Sequence, residues 1–124
     1  MENFVSSARR HFDDGETLLQ LGRFDNAGHL FGVAGECAVK AVCVEESGAR
    51  PPKHFDKISN KDLRYSAPAN LVGRRGQRIV TLLPNLFADW SIDQRYIETG
   101  TTTRAKAQEW RVDARAVLDA LQGL

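Results

Sequence analysis

Apolar residues recur at steps of three and four over the first twenty positions: Phe4, Val5, Ala8, Phe12, Gly15 and Leu19. Arg9, Arg10, Asp13, Asp14 and Glu16 fill the places between them. This spacing predicts an amphipathic helix. Gly22 suits the left-handed conformation that follows a helix C-terminus, and Asp25 or Asn26 can cap the next helix. Residues 22–25 therefore read as a short turn between antiparallel helices. The second helix carries Ala27, Leu30, Phe31, Ala34, Ala38, Ala41 and Val42 on its inner stripe, runs to about Glu46 and stops at Gly48. It is dense in small residues, with Gly28, Gly32 and Gly35 among the alanines, a composition that lets a neighbouring helix come close.

Residues 47–60 read as a loop holding Pro51, Pro52, His54 and Phe55, and residues 62–65 as a helical turn ended by Pro68. A third long helix begins near Gly73 or Arg74, with Ile79, Val80, Leu82, Leu83, Leu86 and Phe87 as its apolar content. Pro84 must kink it or begin its final turn. Residues 89–100 connect it to the last helix and contain Trp90, Arg95 and Tyr96. Thr101, Thr102 and Thr103 offer capping hydroxyls. Ala107, Trp110, Ala114, Val117, Leu121 and Leu124 then share one face, again at steps of three and four. No segment reads as a strand or a repeat. The expected fold is all-α: an antiparallel four-helix up-and-down bundle with an extra short helix or long loop, forming one domain over residues 1–124. A helix-turn-helix DNA reader would need a short exposed recognition helix, and none is legible.

Composition narrows the picture only a little. A hydrophobic fraction of 42% suffices for one core. A net charge of +1 argues against a strongly electrostatic nucleic-acid binder, though not against a local basic patch. No apolar run approaches the roughly 20 residues that span a bilayer, and Met1-Glu2-Asn3-Phe4 lacks the opening of a signal peptide, so no membrane partner is expected. Cys37 and Cys43 lie six positions apart in one helix, which excludes an intrahelical disulfide. They read as small buried hydrophobes in a reducing, cytoplasmic compartment. Ligand spacings for a metal are missing, and no cofactor is expected.

Leu18-Leu19-Gln20-Leu21-Gly22-Arg23-Phe24-Asp25-Asn26-Ala27, then Gly35-Glu36-Cys37-Ala38-Val39-Lys40-Ala41, and later Asp93-Gln94-Arg95-Tyr96, follow one another in an order that resembles the HEPN family of small helical bundles. His54 sits where many members have a histidine in the loop after the second helix. The resemblance implies a helical bundle that works as a homodimer. It also implies a partner protein of the small nucleotidyltransferase type, or RNA or a nucleotide, in a toxin–antitoxin or defence setting. Ribonuclease members share an arginine followed after four to six residues by a histidine near the last helix. Here Arg95 is followed by Tyr96-Ile97-Glu98-Thr99-Gly100-Thr101, with no histidine after it. The resemblance thus implies a non-catalytic binding module, with an unconventional ribonuclease or RNA-binding protein as the alternative.

Five residues stand out as candidate ligand-binding positions. Glu36 and Lys40 are one helical turn apart, suited either to fixing helix packing or to placing Lys40 on a phosphate. Arg95 offers a planar donor fork and Tyr96 an aromatic face, suited to phosphate and base, or to plugging the bundle end. Arg95 is a plausible further partner for Glu36. His54 has the basicity of a general acid or base, or serves the loop. Arg74, Arg75 and Arg78 with Lys53, Lys57 and Lys61 form a basic rim if the loop folds against the third helix, and a solvated charged face if it does not. Trp90 and Trp110 are expected in the core or at a dimer interface, and His11 and His29 at the surface or its boundary.

Overall fold

The computed structural model of the chain describes residues 3–48 and 71–124. Their regular structure is entirely helical: α1 (Phe4–Gln20), α2 (Phe24–Ser47), α3 (Gly73–Leu82) and α4 (Arg104–Leu121), with 3-10 turns at Leu83–Asn85 and Ile92–Tyr96. The expected helical turn at residues 62–65, and all but the start of the 47–60 loop, lie outside the described residues.

Local chemistry sets the boundaries. Asn3 opens α1, its Oδ1 accepting from the Ser6 N–H at 3.0 Å. The helix closes on Gly22, whose φ is +78°. There the Arg23 N–H donates to Leu18 O at 2.9 Å and the Gly22 N–H to Leu19 O at 3.1 Å, the paired bonds of a Schellman turn. The capping role expected of Asp25 or Asn26 is not filled: Arg23 stands at the N-cap of α2, without a side-chain cap bond, and Asp25 lies inside the first turn. Gly48, at φ +76°, ends α2 as expected. Pro84 cuts the third helix short. The α-helix stops at Leu82 and tightens into a 3-10 turn, so Leu86 and Phe87 lie beyond it and α3 is not a long helix. Thr103 caps α4, accepting from the Lys106 N–H at 3.1 Å. Gly123 turns the chain away at φ +80°, which leaves Leu124 exposed rather than on the inner face.

α2 is the central element, packed against α1, α3 and α4. It runs antiparallel to α1, since Phe12 meets Phe31 at a ring separation of 5.5 Å and Lys40 lies over Phe4 at 5.8 Å. It runs parallel to α4. At one end, Asp25 of α2 bonds the backbone just ahead of α4. At the other, the Arg75 guanidinium ties Glu45 and Glu46 of α2 to the Leu121 carbonyl of α4, at 2.6, 2.7 and 3.0 Å.

The small residues of α2 seat aromatic rings. A β-carbon at Gly28 would lie 2.8 Å from Trp110, one at Gly32 would overlap Trp90, and Phe31 in turn covers Gly15 of α1. Both tryptophans are buried. Trp90 Nε1 donates to Gly28 O and Trp110 Nε1 to Ala88 O, each at 3.0 Å. Gly28 and Gly32 are thus two adjacent sockets on one helix face. With rings in them, α2 is buried nearly all round, and by length and composition alone it is apolar enough to cross a membrane, contrary to the expectation from the sequence. Two thirds of its most apolar window is buried inside the bundle. Cys43 is buried and Cys37 half-buried, both as free thiols. Burial pushes the Cys43 thiol up to about 11, which keeps it protonated and unreactive at neutral pH.

Candidate functional site

Parallel packing of α2 and α4 brings two helix N-termini to the same end of the molecule, where backbone N–H groups and helix dipoles both present positive potential. Between them opens a cleft of about 600 Å³, walled by the α1–α2 turn, the first turn of α2, the Ile92–Tyr96 turn and the start of α4. The Asp25 carboxylate draws these walls together. Its two oxygens accept from the Gly100 N–H at 2.7 Å and the Thr102 N–H at 2.9 Å. Those two bonds hold its pKa below the ordinary carboxylate value, so it stays ionised.

Three arginines line the cleft: Arg23, Arg95 and Arg104. All three are exposed. Among the described residues none of them forms an ion pair, whereas neighbouring cations do: Lys106 with Asp89 and Glu109, Arg111 with Glu16, Arg115 with Asp119. Aromatic faces support two of the three. Arg104 lies over Phe24 at 5.0 Å and Arg95 over Tyr96 at 4.8 Å. Arg23 stands at the N-cap of α2 and Arg104 is the first residue of α4, where a cation opposes the helix dipole. Fold stability alone does not favour that placement. An anion in the cleft would reverse its sign.

The chain matches no protein-family model, no curated protein and no solved structure. The chemistry of this end of the bundle must therefore be read from its own residues.

Of the five positions singled out from the sequence, Arg95 lines the cleft and Tyr96 lies beside it, 74% exposed. Glu36 and Lys40 meet each other elsewhere, midway along α2, with Lys40 Nζ 2.8 Å from Glu36 Oε1 and both side chains buried. They do not line the cleft, and Arg95 makes no ion pair with Glu36. The structure thus forms two separate pairs. His54 lies outside the described residues, as do Lys53, Lys57 and Lys61 of the basic rim. Arg75 belongs to the structural clamp between α2 and α4. His29 is half-buried and stacked on Trp90 at 6.3 Å. Among the described residues its buried Nδ1 has no hydrogen-bond partner, and burial, then the Arg95 charge, then His11 push its basicity below the ordinary 6.5.

Sequence reasoning missed Arg23, Arg104 and Asp25. One signal was available for the arginines. Each sits at the start of a helix, the one place where helix electrostatics disfavour it.

Proposed function

We propose that the protein is a non-catalytic, HEPN-like helical-bundle module that binds a phosphorylated small molecule of the nucleotide class in the Arg23–Arg95–Arg104 cleft. The observation that carries this reading is the set of three arginines without an ion pair among the described residues, two of them set against helix dipoles. Arginine forks suit phosphate oxygens, and the volume suits one small ligand. The cleft's carboxylate is already engaged by two backbone amides, which supports binding rather than acid–base chemistry.

Calorimetric titration of the full chain with ATP, GTP and their monophosphates tests the reading. Binding is expected, and Arg95→Ala or Arg104→Ala should weaken it at least tenfold, in keeping with loss of about 1.5–3 kcal/mol per charge-assisted contact. No heat with any of these nucleotides removes it.

The HEPN resemblance adds a homodimer and a partner of the nucleotidyltransferase type to the proposal. The order of sequence motifs supports both, and light scattering of the purified protein, alone and with the product of an adjacent reading frame, tests them. The alternative reading, RNA cleavage, has one observation in its favour: among the described residues the buried Nδ1 of His29 has no hydrogen-bond partner. It requires that purified protein degrade RNA and that His29→Gln abolish the activity.

A further inference from the structure

We infer that the cleft recognises a terminal phosphate, the phosphomonoester dianion of a mononucleotide or of a nucleic-acid end, in preference to an internal phosphodiester. This rests on the phosphate-binding reading above and adds the class of phosphate.

Charge is the first argument. Arg23, Arg95 and Arg104 against Asp25 leave the lining at a net +2. A phosphomonoester carries about −1.5 to −2 near pH 7, and a diester carries only one negative charge. The monoester neutralises the site; the diester leaves part of it uncompensated.

Continuity is the second. A protein that follows a polynucleotide backbone presents a basic groove that continues past any one phosphate. Among the described residues no such groove continues along α4. The next cations are held by carboxylates: Lys106 by Asp89 and Glu109, Arg111 by Glu16 and Arg115 by Asp119. Along α4 the unpaired positive charge is therefore confined to its first residue, at the cleft of about 600 Å³, while Arg9, Arg10, Arg74 and Arg78, also without an ion pair among the described residues, stand outside the cleft lining. That shape receives a chain end or a free nucleotide.

The test compares two phosphates on one nucleoside. Adenosine 5′-monophosphate is a monoester; adenosine 3′,5′-cyclic monophosphate is a diester of the same base and sugar. Calorimetry on the full chain should give at least tenfold tighter binding of the monoester. Its affinity should rise between pH 5 and pH 7, as the second phosphate proton leaves near pH 6. Arg95→Ala and, separately, Arg104→Gln should abolish the preference, with circular dichroism showing that both variants remain folded. Equal affinity for the two phosphates, lost in Arg95→Ala, overturns end recognition while leaving the phosphate cleft in place. No binding of either, or binding indifferent to both substitutions, overturns both. A 5′-phosphorylated hexanucleotide and its 5′-hydroxyl counterpart separate the sources. Tighter binding of the phosphorylated strand than of the mononucleotide assigns a nucleic-acid end, and the reverse order assigns a free nucleotide. Equal binding of the two strands overturns end recognition on nucleic acid.

Discussion

The absence of a β-carbon at position 32 decides where Trp90 can lie. Gly32→Ala would drive a methyl group into the indole, and overpacking of this kind costs about 1–3 kcal/mol or more. Gly48→Ala has open space around it but a φ of +76°, so its cost is backbone strain alone, about 1 kcal/mol. Thermal denaturation of the two variants should therefore show the larger loss at Gly32, with loss of near-ultraviolet tryptophan signal there and not at Gly48. A larger loss at Gly48 would mean that Trp90 is not seated as described. His29, stacked on the same indole, gives a residue-level pH dependence. Burial lowers its basicity, and His11 is lowered too, by burial and by Arg10. Below about pH 6.5 the unfolded chain takes up these protons more readily than the folded one. Stability is thus full above that pH and declines as the pH falls toward the folded-state values. Melting temperatures measured from pH 7.5 to pH 5 should follow this course, and His29→Gln should make the decline shallower. An unchanged slope in the variant would remove His29 from the account.

Helices and turns show which features a sequence can carry. The step of three and four in α1 and α4, the glycine stops at Gly22 and Gly48, and the threonine cap of α4 are all written within a few neighbouring residues, and they were legible. Pro84 was legible as a disruption, but not as the end of α3, because whether a helix resumes after proline depends on what it packs against. Asp25 was misread for a related reason. As a short acid after a glycine turn it looks like a cap, yet its bonds go to amides 75 and 77 positions away, and no local pattern records that. The clamp can be checked directly. Asp25→Ala should speed hydrogen exchange at Gly100 and Thr102 and cost about 1 kcal/mol, since the carboxylate is partly solvated. In the wild type the clamp holds above the ordinary carboxylate value of 3.8 and is lost as the pH falls through its lowered folded-state value. Unchanged exchange at both amides in the variant would show that the loop is held by something else.

At the scale of the whole molecule, the all-helical bundle was readable from periodicity, and its arginine-lined cleft was not. Arg23 and Arg104 become neighbours of one cleft only because α4 lies parallel to α2 and beside it. That placement follows from two tryptophans finding two glycine sockets. The Glu36–Lys40 step was visible as a pair because its partners are one turn apart; its separation from Arg95 is a fact of three-dimensional packing. If the cleft holds a phosphate through exposed arginines, binding must weaken as salt rises. Affinity for adenosine 5′-monophosphate should fall several-fold between 50 and 300 mM salt, whereas salt-independent binding would place the ligand at an apolar site instead.

The Asp25 clamp also bears on the order in which the chain is made. During synthesis the α1–α2 hairpin, with Arg23 at its turn, precedes the Gly100–Thr102 amides by some 75 residues. Until residues 94–104 arrive, the cleft has one wall and one of its three arginines. A ligand that requires all three therefore binds only the finished bundle, and at a hundred times its dissociation constant it would add about 2.7 kcal/mol to the folded state. Occupancy of the cleft would report that the two distant parts of the chain have met.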